Sequence, residues 1–174
     1  METLILITGV AGSGKSTVAE YIEKRYGYKE YALGDKLKEL TYRLLKTFDV
    51  PVNLVDDLYD VNTKCKYRKY LQLIGTECMR GTFGDDFWSE QLNNVIKNEN
   101  KAIISDVRFI NEYNYFKSRY KRVYTIKVVR PGLGVMNHKS EQEIGNIPFD
   151  YIIMNELDLE TLYHIVDNIM NFIQ

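Results

Sequence analysis

The chain is poor in several features, and each scarcity narrows what it can be. Only two of its 174 residues are cysteines. These are Cys65 and Cys78, which form no CxxC or His-paired motif, so both are read as free thiols of a reducing compartment. An excess of charge of either sign is also lacking. A net charge of −1 leaves no global basic field to draw the chain to nucleic acid, so any cation that meets an anionic ligand must act locally. The first residues carry neither a basic leader nor a long apolar stretch. No window reaches the length of a membrane span, so neither a secretory signal nor an anchor is expected, and the cytoplasm is the default location. Internal repeats and low-complexity segments are missing too. What remains is 45% hydrophobic and 27% charged, the balance of a globular domain long enough to bury a core.

Apolar runs alternate with helical patterns along the chain. "TLILITG" reads as a buried parallel strand closed by glycine. "KSTVAEYIEKRYG" is a helix with Val18, Ala19, Ile22 and Tyr26 at helical spacing and Gly27 as its stop. A short strand "YKEYAL" leads to a second helix, one face of which Leu37, Leu40, Leu44 and Phe48 mark, with Pro51 as punctuation. Residues 51–66 are polar, acidic and irregular, and are expected to be mobile. "YRKYLQLIGTECMR" and "FWSEQLNNVIKNEN" read as helices, "AIIS" as a central strand, and "FINEYNYFKSRY" as a helix with Phe109, Tyr113, Phe116 and Tyr120 on one side. "RVYTIKVVR" and "YIIM" are further strands and "LETLYHIVDNIMNFI" the closing helix. Strands and helices in this alternation imply a doubly wound parallel sheet with right-handed crossovers.

Between the first strand and first helix stands "GVAGSGKS", Gly9 to Ser16, a full match to G-x-x-x-x-G-K-[ST] in the setting that motif requires. Gly9, Gly12 and Gly14 allow backbone N–H groups to turn inward around phosphate oxygens, and Ala11, Ser13 and Thr17 complete the cradle. Lys15 reaches the β- and γ-phosphates, the Ser16 hydroxyl suits Mg²⁺, and the helix N-terminus adds its dipole. Asp106, directly after "AIIS", is the second candidate for Mg²⁺, although strand-end aspartates also cap helices.

The signatures of motor and switch proteins, long insertions or a guanine-reading Asn-Lys-x-Asp, are lacking. The other cations form small clusters: Lys36, Arg68 and Arg80, Arg108 and Arg130. Arg68 and Arg80 are a little over three helical turns apart, so one helix face can carry both. Bidentate arginine is the best clamp for an anionic acceptor. In an extended backbone Asp106 and Arg108 point the same way.

Behind the phosphate loop, "YRKYLQLIGTECMRGTFGDDFW", "ISDVRFINE" and "HKSE" together resemble the deoxynucleoside monophosphate kinases of phages and large DNA viruses. The resemblance runs from Ile5 to about Leu162, and "DYIIMNELDLETL" is similar to that family's last strand and helix. It implies a P-loop kinase-like, three-layer α/β fold, with a five-stranded parallel sheet flanked by helices, acceptor-binding helices and a short lid. One domain would cover 1–174, with the acceptor region at about 35–90 and the lid at about 131–143. The implied reaction moves the γ-phosphoryl group of ATP, with Mg²⁺, to a deoxynucleoside 5′-monophosphate. Lys15 and Ser16 would serve ATP and the metal. Asp35, Lys36, Arg68, Arg80, Trp88, Asp106 and Arg108 would surround the acceptor and the transfer point. Arg130 would be the lid cation in a loop that otherwise offers His138 and Lys139, with Gly132 and Gly134 as its flexible positions. Small nucleotides would be the partners, with no nucleic-acid polymer and no membrane; a homodimer is compatible, and a viral source would mean the host cytoplasm.

Two other readings stay open. One is a phosphomevalonate-type or dephospho-coenzyme A-type kinase, the latter using Asp35 as a base on an alcohol. The other is a non-catalytic ATP-sensing module.

Overall fold

The computed structural model describes residues 2–60, 63–133 and 143–173. Strand β1 (Thr3–Thr8) is buried at all six positions. A strand covered on both faces has no cause to alternate, which is why it reads as one apolar run. It lies at the centre of a parallel sheet ordered β2-β3-β1-β4-β5, with β2 at Lys29–Tyr31, β3 at Lys101–Val107, β4 at Val123–Val129 and β5 at Tyr151–Met154. The five strands and their parallel order are those expected from the alternation of patterns.

Helix α1 (Lys15–Tyr26) buries Val18, Ala19 and Ile22, the spacing that selects one face. It ends at Gly27, whose φ of 69° lets its N–H reach back to the Glu23 carbonyl at 3.1 Å. The last helix, α7 (Leu159–Ile173), starts from Asp158, whose Oδ1 accepts the Thr161 N–H at 2.8 Å. These helices share one core with the sheet: Ile5 and Ile7, Val18 and Ile22, Ile126 and Val128, Val166 and Met170. At about 1.5–3 kcal/mol for each large aliphatic side chain, this burial dominates the stability of the layer. A polar tie joins the same helices, since Tyr26 and Tyr21 donate to Asp167 Oδ1 at 2.6 and 2.9 Å while Tyr21 stacks on Tyr163 at 4.1 Å. Helix α6 (Ile110–Arg119) links β3 to β4, and a right-handed crossover places it on the face opposite α1.

Contacts within the chain group into two units, Met1–Ala32 with Asn93–Gln174, and Leu33–Leu92. The second unit holds α2 (Gly34–Thr47), a π-helical turn at Leu54–Tyr59, a 3₁₀ turn at Lys64–Tyr67, α3 (Arg68–Gln72), a π-helical stretch at Leu73–Arg80 and α4 (Gly81–Phe83). Helix α5 begins in it at Phe87 and runs to Ile96. Three expectations change here. Of the expected face, Leu37 is half-buried but Leu40, Leu44 and Phe48 are exposed, Phe48 at 72%, while α2 buries Thr41 and Leu45. The buried row lies one residue over, roughly 100° around the helix, because Leu45 packs with Val52, Leu58 and Tyr67. That same small core gives helical turns to a stretch expected to be irregular, aided by Tyr67 donating to the Pro51 carbonyl at 2.8 Å. The third change concerns Arg68 and Arg80: the wide π-helical stretch between them advances each residue less than an α-helix does, so α-helical spacing does not set their relative direction.

Candidate active site

The loop from Thr8 to Lys15 is shaped by three glycines with positive φ: Gly9 at 150°, Gly12 at 79° and Gly14 at 102°. Space as well as dihedral requires Gly9 and Gly14. A Cβ at Gly9 would run into the Val128 carbonyl oxygen and come within 2.8 Å of Ser13 Oγ, and one at Gly14 would run into the Asn155 side-chain amide. At Gly9 backbone therefore approaches backbone, and at Gly14 it approaches a side chain, more closely than a Cβ allows. Ser13 is fully buried and its N–H donates to Val10 O at 3.2 Å, while its Oγ makes no hydrogen bond among the described residues. Lys15 is 9% exposed, and its ammonium donates to Gly9 O and Val10 O, both at 2.7 Å. The loop thus carries its cation inside its own curve. Ser16, on the first turn of α1, is exposed.

Beside the loop, β3 is irregular. Leu6 pairs with Ile104 and Thr8 with Val107, so Ser105 and Asp106 together oppose the single residue Ile7. This bulge re-aims side chains next to the exit of β1 and breaks the two-residue alternation. Asp106 sits in it, half-buried. Arg108 lies past the last residue of β3, so the like-facing rule for an extended strand does not govern the pair. What fixes the Arg108 backbone is Glu112, 3% exposed, whose Oε2 accepts the N–H groups of Arg108 at 2.8 Å and Phe109 at 3.1 Å.

Arg130 follows β4, is exposed, and opens a turn in which Leu133 N–H reaches Arg130 O at 3.4 Å. Pro131 and Gly132, the latter at φ 82°, occupy the central positions of a type II turn. Leu133 Cδ1 lies 3.7 Å from where a Cβ on Gly12 would stand, so this turn adjoins the phosphate loop. Gly134, His138 and Lys139 lie outside the described residues. The structure therefore gathers Gly9–Thr17, Asp106, Arg108 and Arg130 at the carboxyl ends of β1, β3 and β4, where ligands bind in open parallel sheets.

In the second unit, Asp35 on the first turn of α2 pairs with Lys38 at 3.0 Å. Lys38 is largely enclosed, with its ammonium 3.8 Å from the centre of the Tyr59 ring, a cation–π distance. Lys36 is exposed and 3.8 Å from Glu39. Arg68 opens α3, half-buried. Arg80 is buried and donates to Asp85 O at 3.2 Å. Trp88 is also buried; its indole N–H donates to Gly75 O at 2.9 Å and its ring meets Phe87 edge-on at 4.9 Å, which gives it a packing place.

Sequence reasoning missed three residues. Lys38 was hidden among other lysines. Glu112 stands three residues after the helix cap, as in a capping box, but Phe109 replaces the usual Ser or Thr, so the signature was incomplete. Asn155 follows β5; a polar residue at the carboxyl end of a parallel strand was the available signal. Its side-chain amide donates to Ser13 O at 2.9 Å and its N–H to Val129 O at 2.7 Å.

A family model described as deoxynucleotide monophosphate kinase matches residues 47–166, which takes in Arg68, Arg80, Trp88, Asp106, Arg108 and Arg130. A protein of Acanthamoeba polyphaga mimivirus, provisionally named deoxynucleotide monophosphate kinase, is 31% identical over 181 residues, covering 92% of each chain. Among solved structures, dephospho-CoA kinase from Campylobacter jejuni is similar at a TM-score of 0.54 and 15% identity, over 99% of this chain and 98% of that one. Shikimate kinase from Aquifex aeolicus is similar at 0.52 and 16%, over 98% and 97%. At such identity these two speak for the fold alone, which is that of the P-loop kinases: a five-stranded parallel sheet flanked by helices. With the family model on more than half its length and the viral relative along nearly all of it, this chain belongs to the deoxynucleotide monophosphate kinase family.

Proposed function

We propose that the protein transfers the γ-phosphoryl group of ATP to a deoxynucleoside 5′-monophosphate, giving the diphosphate. The observation that carries this is a phosphate loop with its buried lysine, built into a chain of this family. One domain performs the reaction in this reading, with the acceptor region at about 35–90 and a lid at about 131–143.

The reaction asks little covalent chemistry of the protein. An acceptor phosphate has a second pKa of about 6, so it is largely dianionic at neutral pH and needs no base. The barrier is then set by alignment and by charge repulsion between two phosphates. Lys15, released from Gly9 O and Val10 O, follows the transferring group and offsets its charge. Loop N–H groups hold the donor phosphates, and the narrow fit at Gly9 and Gly14 keeps them in place. Arg68, Arg80, Arg108, Asp35 and Lys36 hold and orient the acceptor, with Trp88 shaping the packing beneath. Arg130 acts from the lid, which excludes water and so suppresses hydrolysis.

The donor set fits Mg²⁺: Ser16 offers a hydroxyl and Asp106 a carboxylate, both hard oxygen ligands. An ion of this kind is commonly held by one or two protein oxygens together with substrate phosphates. When bound, Mg²⁺ would neutralise and align the β- and γ-phosphates. No helix among the described residues is long and apolar enough to cross a membrane.

Variant kinetics separate a phosphate acceptor from an alcohol acceptor. With a phosphate acceptor, Arg68→Ala and Arg108→Ala each lower kcat/KM by on the order of a hundredfold, and Asp35→Asn costs far less. A nearly inactive Asp35→Asn beside an intact Arg108→Ala would point to a base-dependent alcohol kinase instead.

A further inference from the structure

We infer that Asn155 is a positioning residue for the phosphate loop: by holding the Ser13 carbonyl outward it turns the Gly14 N–H inward, toward the nucleotide phosphates. This rests on the reading of the loop as the ATP site.

The argument begins with the peptide plane. In a trans peptide the C=O of one residue and the N–H of the next point in opposite directions. The Ser13–Gly14 unit is such a plane, since the chain has no cis bonds among its described residues. The Asn155 amide takes the Ser13 oxygen at 2.9 Å, from the side of β5. The Gly14 N–H must then face the other way. A plane flip would require the chain to give up that bond and bring the carbonyl oxygen, a partial negative charge, into the cradle.

Asn155 is itself firmly held. Its backbone N–H donates to Val129 O at 2.7 Å, at the end of β4, so the donor stands on the sheet and not on a free loop. The neighbouring β4 carbonyl, Val128 O, occupies the space a side chain on Gly9 would need. The ends of β4 and β5 thus set both flanks of the loop. Gly14 completes the fit: at φ 102° only glycine is at ease, and a Cβ there would collide with the Asn155 amide. The glycine and the asparagine therefore act as a matched pair, one leaving the space the other fills.

Asn155→Asp tests this, because it keeps size while replacing the donor by a charged acceptor against Ser13 O. ATP affinity is measured by calorimetry, alongside deoxynucleoside monophosphate affinity and thermal stability. The expected result is ATP binding weakened on the order of tenfold, the worth of one hydrogen bond, with monophosphate affinity retained. KM for ATP rises in step, and kcat at saturating ATP changes less. Asn155→Ala repeats the comparison if the Asp variant does not fold. In the unaltered protein, the Gly14 amide proton resonance shifts downfield with ATP and not with adenosine. Unchanged ATP affinity in a folded variant, or an unmoved Gly14 amide on ATP binding, overturns the inference. If the unaltered protein binds no ATP, the reading of the loop falls, and this inference with it.

Discussion

Glu112 holds Arg108 by its main chain. The buried carboxylate accepts the Arg108 N–H at 2.8 Å through Oε2, and the same oxygen takes the Phe109 N–H at 3.1 Å. The turn that carries the arginine out of β3 is thereby tied to the first turn of α6. This is a second example, beside Asn155, of a polar side chain that shapes candidate site backbone: Glu112 acts from a few residues away, Asn155 from a distant strand end.

Glu112→Ala should therefore damage both stability and activity. Two enclosed N–H groups lose their acceptor, and each such loss costs about 1–3 kcal/mol. Denaturant unfolding reads the first effect. Steady-state kinetics read the second, with KM for the monophosphate rising more than KM for ATP. A variant that unfolds earlier yet keeps an unchanged monophosphate KM would show that the turn does not position Arg108.

Lys15→Met keeps an unbranched side chain and removes the charge. Turnover should fall on the order of a hundredfold or more, without loss of the fold, since the methionine keeps the apolar stem and the Val10 carbonyl still accepts from the Ser13 N–H. Phosphoryl transfer and thermal melting measured on one preparation check this. Undiminished turnover would remove Lys15 from the mechanism.

Trp88→Phe probes the acceptor unit. It deletes the donor to Gly75 O while keeping a ring against Phe87. Losing this buried hydrogen bond costs on the order of 1 kcal/mol, seen as a lower denaturation midpoint. Stability equal to that of the parent would mean the indole N–H bond carries no weight.

Asp167 gives a pH signature. Hydrogen bonds from Tyr26 and Tyr21 and the nearby Arg25 hold its carboxyl below the ordinary aspartate range, against the opposing effect of burial. A folded value lower than the unfolded one, about 3.9, means the stabilisation is fully present above that pH and is lost as pH falls through the lowered value. Asp167→Asn should thus be less stable than the parent at neutral pH, with the gap closing below about pH 4. Melting temperatures of both proteins across pH 3–8 test the sign; a gap that widens on acidification contradicts it.

The strands, α1 and the phosphate loop were legible because their signals are local. Continuous burial makes β1 an apolar run, and positive φ makes Gly9, Gly12 and Gly14 obligatory in the loop. The wide turns at Leu54–Tyr59 and Leu73–Arg80 were not legible, because a π-helix differs from an α-helix in hydrogen-bond partner and not in composition. The buried row of α2 was misread since Leu40, Leu44 and Phe48 are the more apolar stripe, whereas Thr41 and Leu45 face the small core. The bulge at Ser105–Asp106 leaves no trace in a run such as "AIISDV". Asn155 was missed for another reason: its place after β5 hints at a site, but it meets Ser13 across 142 residues of chain, and no local pattern names that partner.

The central claim is phosphoryl transfer to a deoxynucleoside monophosphate, and one assay tests it most directly. The protein is incubated with ATP, Mg²⁺ and each deoxynucleoside 5′-monophosphate in turn, and nucleoside diphosphates are resolved by chromatography. At least one monophosphate should yield its diphosphate in step with ADP, and Lys15→Met should lower both on the order of a hundredfold or more. ATP bound with no diphosphate formed from any of them, or product formed only from an alcohol acceptor such as dephospho-coenzyme A, would contradict the account.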